Sequence, residues 1–321
     1  MDIISIILWP IKWVVELILV AFHWLFSAMG LPPEAGITWV LAIVGLTVVV
    51  RAALIPIFVR QIKNQRRMLE IAPQLKKIQD KYKGKKDQFS REAMSRETME
   101  LYKKTGTNPL SSCLPLLLQM PVFFSLFQVL NGAQSGKAGV GPLNEVLAQQ
   151  FGNATLFGVA PLHQSFQGAM NAHPPQVAVM VIAAVMVILM TGSQFLTQLQ
   201  IVSKNMSPET KASPQFKQQR ILLYLLPFVF LFSGFAFPLG VMFYWLTSNL
   251  WTMGQQFLVI RNMPTPGSDA AKAREARLAK KGKLVQADGA TVLTVEEQPV
   301  KQVTQRVQPV SKTRAKKQAG K

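Results

Sequence analysis

Five long apolar stretches run along the chain, separated by polar stretches that are mostly basic. The apolar stretches cover residues 37–59, 109–130, 176–200, 221–237 and 239–260. The first alone, at about 1.5 Å per residue, makes a helix of about 34 Å, which exceeds a bilayer core of about 30 Å. The pattern therefore predicts an all-α polytopic membrane protein with five core transmembrane helices, the last four of them within 108–261.

Residues 1–36, ahead of the first stretch, are apolar but interrupted by polar side chains. At helical spacing the apolar and polar positions fall on two different faces: Trp13, Leu17, Val20 and Trp24 on one, and Lys12, Glu16 and His23 on the other. This division is typical of an amphipathic helix in the membrane interface, with tryptophans at headgroup level. An extra span or uncleaved anchor is the alternative. A cleaved signal peptide is disfavoured because no positive charge precedes the apolar run.

The segment between the first two spans, residues 60–107, is strongly polar and carries 14 Lys/Arg against 6 Asp/Glu. Its apolar side chains repeat alternately at three and four residues, as in a coiled-coil seam: Met68, Ile71, Leu75, Ile78 and Tyr82. We therefore predict a helical hairpin with Pro73 in the first turn of a new helix, a turn at 83–87 and a second helix over about 88–104. A solvated connection with no further role is the alternative.

The basic residues predict the orientation of the spans. Residues 60–107 and 201–220 and the tail 262–321 are basic, whereas the connection 131–175 contains one basic residue, Lys137. Cytoplasmic loops carry an excess of Lys and Arg, and five spans place all three basic segments on the same side. The sequence thus predicts that the hairpin and the tail are cytoplasmic.

The tail, residues 262–321, contains no Phe, Trp or Tyr, and its 13 Lys/Arg exceed its 5 Asp/Glu. Such a composition cannot bury a core, so we predict a largely disordered basic tail. Its charge suits RNA phosphates or anionic lipid headgroups, with solvation alone as the alternative.

Composition supports the membrane class and disfavours an enzyme. The chain of 321 residues is 49% hydrophobic and 16% charged, yet its formal net charge is +19, so apolar and basic blocks are segregated. One cysteine excludes a disulfide within the chain, and the three histidines show no metal-ligand spacing. No phosphate-binding loop or nucleophile motif occurs, so we expect no catalysis, no cofactor and no metal.

Arg51 is the one charged residue inside the five predicted spans. It lies nine residues before Arg60, about 13 Å from the expected membrane edge. An arginine at such depth costs about 2.5–3.5 kcal/mol on insertion scales. Since no predicted span contains Asp or Glu, the side chain either reaches back to the cytoplasmic interface or faces a water-filled groove in the protein.

Uncharged polar side chains in the spans favour the groove. Thr47, one turn before Arg51, shares its helical face. Ser248 is a further polar group in the last span, and the candidate residues of a hydrophilic groove are Arg51, Thr47, Gln119, Gln194, Gln198 and Asn249. Bulky, flexible side chains accommodate varied apolar partners, and the candidates for an apolar wall beside the groove are Met120, Phe123, Tyr244 and Trp245.

Several spaced motifs, in order along residues 12–261, resemble those of the YidC family of membrane protein insertases. They are Thr47-Val48-Val49-Val50-Arg51, Asn108-Pro109-Leu110, the run from Pro115 to Phe123, Met206-Ser207-Pro208, Phe237-Pro238-Leu239-Gly240, Tyr244-Trp245, Ser248-Asn249 and Gln255-Gln256. The resemblance implies five core spans around a hydrophilic groove that is open to the cytoplasm and the lipid. It also implies an interfacial helix before the spans and a cytoplasmic hairpin after the first. The chain resembles a short bacterial form, without a large extracytoplasmic domain or a lipid-anchor cysteine near its start.

The resemblance also implies a function without catalytic chemistry. Arg51 would attract the hydrophilic, often acidic, part of a nascent membrane protein, while the apolar part slides along the first, third and fifth spans. The candidate residues of this apolar slide are Met120, Phe123, Tyr244 and Trp245. The chain would thereby help to insert, fold and assemble membrane proteins in the bacterial plasma membrane, alone or with the Sec translocon. The basic tail and the hairpin lysines predict ribosome contact, and those lysines are Lys83, Lys85 and Lys86.

Two other classes of function are compatible with the same pattern. A secondary transporter or channel would place ionisable groups at mid-membrane, but no internal repeat and only one such group occur. A scaffolding partner of another translocon has no sequence feature against it. We expect no small-molecule substrate.

Overall fold

The computed structural model describes residues 3–85, 87–108, 114–208, 211, 225, 234–285 and 291–293. Helices make up most of this part, so the protein is an all-α membrane protein, as the hydrophobic pattern predicts. The helices are α1 (Ile3–Ala28), α2 (Gly36–Glu70), α3 (Ala72–Lys81), α4 (Gln88–Thr105), α5 (Leu114–Gln134), α6 (Glu145–Asn153), α7 (Phe166–Asn171), α8 (Val177–Lys204), α9 (Leu239–Asn262) and α10 (Asp269–Ala279). Strand β1 (Thr155–Leu156) pairs antiparallel with β2 (Ala160–Pro161), and β3 (Lys283–Val285) with β4 (Thr291–Leu293).

Three helical segments of the described residues are long and apolar enough to cross a membrane: Ile6–Ala28, Gly36–Asn64 and Val177–Lys204. The last two overlap the predicted spans 37–59 and 176–200. The predicted span 109–130 overlaps α5 from Leu114 onward, and its residues 109–113 lie outside the described part of the chain. The predicted span 239–260 falls on α9, and both helices carry amides and hydroxyls among their apolar residues. The predicted span 221–237 lies mostly outside the described residues.

Helix α1 keeps its two faces apart, but its polar face packs against the protein. Trp24 is exposed, whereas Glu16 and His23 are buried. The Glu16 carboxylate accepts hydrogen bonds from the backbone N–H groups of Val140, at 2.9 Å, and Gly141, at 2.7 Å. A buried carboxylate requires such donors, so the polar face is a packing surface. Whether α1 lies in the interface or spans the membrane stays a prediction.

Helices α3 and α4 form a hairpin. Pro73 lies in the first turn of α3, and the Asp87 side chain caps α4 by accepting from the Ser90 N–H at 2.8 Å. The Tyr82 hydroxyl donates to Glu97 at 2.8 Å. Hydrogen bonds from the ammonium of Lys81 and from Tyr82 hold the pKa of Glu97 below its ordinary value. Because Lys81 is exposed and Tyr82 and Glu97 are only half-buried, these contacts add little stability and mainly fix how the two helices meet.

The hairpin turn presents part of the predicted basic contact. Lys83 and Lys85 are exposed on it, whereas Lys86 lies outside the described residues. The exposed pair leaves positive charge accessible at the end of the hairpin.

The connection between α5 and α8 folds into a cap, whereas the sequence predicts only a loop there. It contains α6, the β1–β2 hairpin and α7, and its side chains Leu143, Phe151 and Leu162 are buried. The cap is held against the start of α2, because a Cβ on Gly36 would lie 2.6 Å from the backbone of Thr155. Only glycine permits this approach without a shift of the backbone.

The chain divides into two units, Met1–Arg274 and Glu275–Lys321. The expected disorder of the tail does not extend to its first residues, because α10 covers Asp269–Ala279. In the first unit the Thr265 N–H donates to the Asn205 side chain at 2.8 Å, and Ser268 is fully buried. The chain after α9 is therefore fixed to the end of α8 before α10 begins. In the second unit the described strands β3 and β4 pair with each other.

Candidate functional site

Arg51 lies on α2, 15 residues after Gly36 and so about 22 Å along the helix. Its side chain is half-buried, and its guanidinium Nη2 donates a hydrogen bond to the Ser248 hydroxyl of α9. The bond joins residues far apart in the chain across two helices. Arg51 therefore points into the helical assembly in this structure, towards α9.

A second hydrogen bond brings α5 to the same place. The Gln119 side-chain amide of α5 donates to the Tyr244 hydroxyl of α9 at 3.0 Å. Tyr244 is 4% exposed and lies one turn before Ser248, so both face the same side of α9. We call Arg51, Gln119, Tyr244 and Ser248 the polar cluster. It joins α2, α5 and α9.

The sequence-based set of groove candidates lacks two members of the polar cluster, Ser248 and Tyr244. For Ser248 one sequence signal exists, because it follows Tyr244 at the spacing of one helical turn. Tyr244, which the sequence places on an apolar wall, contributes its hydroxyl to the cluster instead.

The remaining groove candidates have different surroundings. Thr47 is buried and donates to the backbone carbonyl of Ile43 at 2.7 Å, so its hydroxyl is satisfied within α2. The Asn249 amide approaches the Met190 carbonyl of α8 at 3.5 Å, a long contact that faces α8. Thr47 and Asn249 thus lie close in sequence to Arg51 and Ser248, respectively. Among the described residues, neither side chain hydrogen-bonds to the polar cluster.

Gln194 and Gln198 lie one turn apart on α8 and are both half-buried. The Oε1 atom of Gln198 is buried and has no hydrogen-bond partner within the part that the structure describes. Neither glutamine hydrogen-bonds to the polar cluster among those residues. Their place in a groove stays a prediction.

Aromatic side chains of α5 and α9 pack beside the polar cluster. The ring of Phe123 stacks on Trp245 with centroids 5.4 Å apart, and Trp245 meets Phe237 edge to face at 4.8 Å. Met120, one position after Gln119, is exposed. Among the wall candidates, Met120 therefore offers the most accessible apolar surface, and Phe123 and Trp245 form a packed base.

Positive charge dominates the polar cluster. Within the described ranges no Asp or Glu pairs with Arg51, and the ion pair found there joins Lys81 to Glu97 in the hairpin. The same residues contain no group of three or more His, Cys, Asp or Glu that could hold a metal ion. The side-chain chemistry at this place is thus hydrogen bonding around one fixed cation.

The polar cluster also contains an unused acceptor. The Oε1 atom of Gln119 is buried and makes no hydrogen bond to the residues that the structure describes. A guanidinium has five N–H donors, so Arg51 can bond more than the Ser248 hydroxyl. The cluster can therefore donate to carboxylate or carbonyl oxygens.

Long apolar helices that pack around a small polar cluster define the class: a multi-pass α-helical membrane protein. The model of the family described as 60Kd inner membrane protein matches residues 31–266, and the chain belongs to that family.

Three relatives carry the name membrane protein insertase YidC. The protein of Tropheryma whipplei (strain Twist) is 46% identical over 320 residues, which are 98% of either chain. That of Streptomyces avermitilis is 44% identical over 280 residues, 86% of this chain and 62% of the relative. That of Bifidobacterium longum is 35% identical over 325 residues, 97% of this chain and 95% of the relative. Similarity to these relatives thus extends well beyond the motifs around Arg51.

Proposed function

We propose that this chain is a membrane protein insertase, which helps nascent integral membrane proteins to insert, fold and assemble in the bacterial plasma membrane. The observation that carries the proposal is the polar cluster, in which Arg51 bonds to Ser248 inside the helical assembly. Membership of a family with relatives named as insertases supports it. No covalent step and no cofactor are needed.

The physical task is to lower the barrier for moving a polar segment through lipid. Ionised and polar groups are expensive in hydrocarbon, where water cannot solvate them. A hydrated groove at the polar cluster replaces lipid with water and protein dipoles along part of the path. Arg51 supplies a fixed positive charge that attracts an acidic segment.

The apolar part of the guest requires a different surface. Met120 and the neighbouring aromatic rings of α5 and α9 offer a flexible wall beside the polar cluster. In this proposal an apolar segment slides along the wall into the lipid, while its polar flank stays at Arg51. The guest's polar and apolar parts are thereby separated before it leaves the protein.

The proposed orientation places the α3–α4 hairpin and the tail in the cytoplasm. Basic residues concentrate in those segments, which supports this assignment. The cap between α5 and α8 then lies on the opposite side, where it covers the outer ends of the spans.

The ribosome is the proposed source of the guest segment, and the Sec translocon a further partner. The exposed lysines Lys83 and Lys85 and the basic residues after 262 would bind RNA phosphates. Binding through phosphates weakens steeply with salt. Removal of residues 283–321, which keeps α10, should therefore reduce co-sedimentation with ribosomes and flatten its salt dependence. Unchanged sedimentation would show that the tail does not make the ribosome contact and would assign the contact to the α3–α4 hairpin. In that case the charge reversals Lys83→Glu and Lys85→Glu should abolish co-sedimentation.

Reconstitution separates this function from a transporter or channel. The purified chain in liposomes should insert a small membrane protein supplied from translation, and should pass no solute in the absence of a polypeptide. Insertion equal to that of empty liposomes would contradict the proposal. Solute flux without a polypeptide would favour the transporter.

A further inference from the structure

The β1–β2 hairpin of the cap ends in an apolar turn, although water-exposed hairpin turns favour Asn, Asp and Gly. The turn consists of Phe157, Gly158 and Val159. Phe157 is 79% exposed and Val159 60% exposed. From 154 to 162 the sequence has a single polar side chain, that of Thr155. The turn thus presents two apolar side chains at its tip, which suits lipid better than water.

Phe157 adopts a backbone conformation that disfavours bulky residues. Its φ angle is 52° and that of Gly158 is 73°, and the Val159 N–H closes the turn on the Leu156 carbonyl at 3.2 Å. A phenylalanine in the left-handed region is a strained outlier, whereas asparagine or glycine is tolerated there. Packing inside the protein does not account for the ring, because most of it is exposed.

The hairpin is held at the level where α2 begins. Thr155 forms a parallel bridge with Ala35, and Gly36 lies directly against the Thr155 backbone. The apolar span of α2 starts at the next residue, Ile37, which is exposed. The tip is therefore tied, through Thr155, to the end of an apolar helix that is long enough to cross a membrane.

We infer that the Phe157–Val159 tip inserts into the boundary between lipid headgroups and acyl chains, as an anchor of the cap separate from the spans. Aromatic side chains favour this boundary. The depth is limited, because lipid cannot satisfy the free backbone groups along the edges of a two-stranded hairpin. Under the orientation proposed above, this boundary belongs to the outer leaflet.

A fluorescent probe at the tip tests the inference in the full-length protein. Cys113 is the one cysteine of the chain, so its replacement by serine allows a single label on Val159→Cys. In phosphatidylglycerol and phosphatidylethanolamine liposomes the label should emit at blue-shifted wavelength. It should be quenched more by a spin label near the headgroup than by one near the acyl terminus. The matched control is Lys137→Cys, also exposed and also between α5 and α8, where aqueous iodide should quench instead.

A second pair of variants assigns the anchoring to the ring. Phe157→Asn relaxes the turn and removes the apolar surface, so the label at 159 should lose lipid quenching and gain iodide quenching. Phe157→Leu keeps apolar surface and should retain lipid quenching. Iodide quenching of the label at 159 without the Phe157 substitution would overturn the inference. That result is expected if the tip lies in water or serves to bind another protein. Unchanged lipid quenching in Phe157→Asn would overturn the role of the ring.

Discussion

Replacing Arg51 by alanine should slow the insertion of substrates with acidic translocated segments by about ten- to a hundredfold. A hydrogen bond to a charged group contributes about 1.5–3 kcal/mol, and each 1.4 kcal/mol is about tenfold in rate if the contact forms during crossing. Arg51→Lys keeps the charge and should retain much of the activity. The measurement is the rate of protease-protected insertion into proteoliposomes.

The controls separate the charge at Arg51 from basic residues in general. Arg60 is exposed on the same helix, nine residues further on, and Arg60→Ala should leave the rate nearly unchanged. A substrate whose translocated segment contains no Asp or Glu should respond weakly to Arg51→Ala. Equal insertion of the acidic substrate by Arg51→Ala and the parent protein would refute the proposed role of Arg51.

Replacing Glu16 by alanine should lower the free energy of unfolding by about 2–6 kcal/mol, because two backbone N–H groups lose a charged acceptor, at about 1–3 kcal/mol each. Glu16 is 1% exposed, and a Cβ on Gly139 would lie 2.2 Å from its Oε1 atom. The carboxylate therefore packs closely against the backbone of residues 139–141. The measurement is denaturant unfolding in detergent micelles, with amide exchange at Val140 and Gly141.

Glu34→Ala is the matched control for Glu16→Ala, since Glu34 is exposed in the turn between α1 and α2. Its stability should stay within about 0.5 kcal/mol of the parent protein. Faster amide exchange confined to Val140 and Gly141 would show that the loss arises at this contact. Equal stability of the two variants would show that the Glu16 hydrogen bonds add nothing.

The long apolar spans could be predicted from the sequence, because an apolar run of this length can form few structures other than a transmembrane helix. Helix α2 illustrates this, since the apolar run 37–59 lies within Gly36–Glu70. The α3–α4 hairpin can be predicted for a related reason, because Pro73 and Asp87 favour the start of the helices in which they lie or which they precede. Local signals of this kind need no knowledge of distant residues.

The contacts that define the polar cluster and the cap could not be predicted in the same way. Ser248 meets Arg51 across 197 positions, and Glu16 meets backbone groups 124 and 125 positions away. A sequence does not show which backbone N–H groups a side chain will meet. A glutamate that is buried against such groups therefore looks, in the sequence, like a residue on the polar face of a surface helix. The sequence does not predict the cap, because its elements are short and bury their side chains only against one another and the spans.

Site-specific photocrosslinking to a stalled nascent chain tests most directly whether a guest segment occupies the face of α2 that carries Arg51. Ile55 lies one turn after Arg51 on that face, whereas Ile57 is similarly exposed on a different face. A photoreactive residue at 55 should crosslink to the acidic segment of the nascent chain, and the crosslink should disappear with Arg51→Ala. A residue at 57 should give few crosslinks in either background. Equal crosslinking from 55 and 57, or crosslinking from 55 that survives Arg51→Ala, would contradict a guest held at the polar cluster.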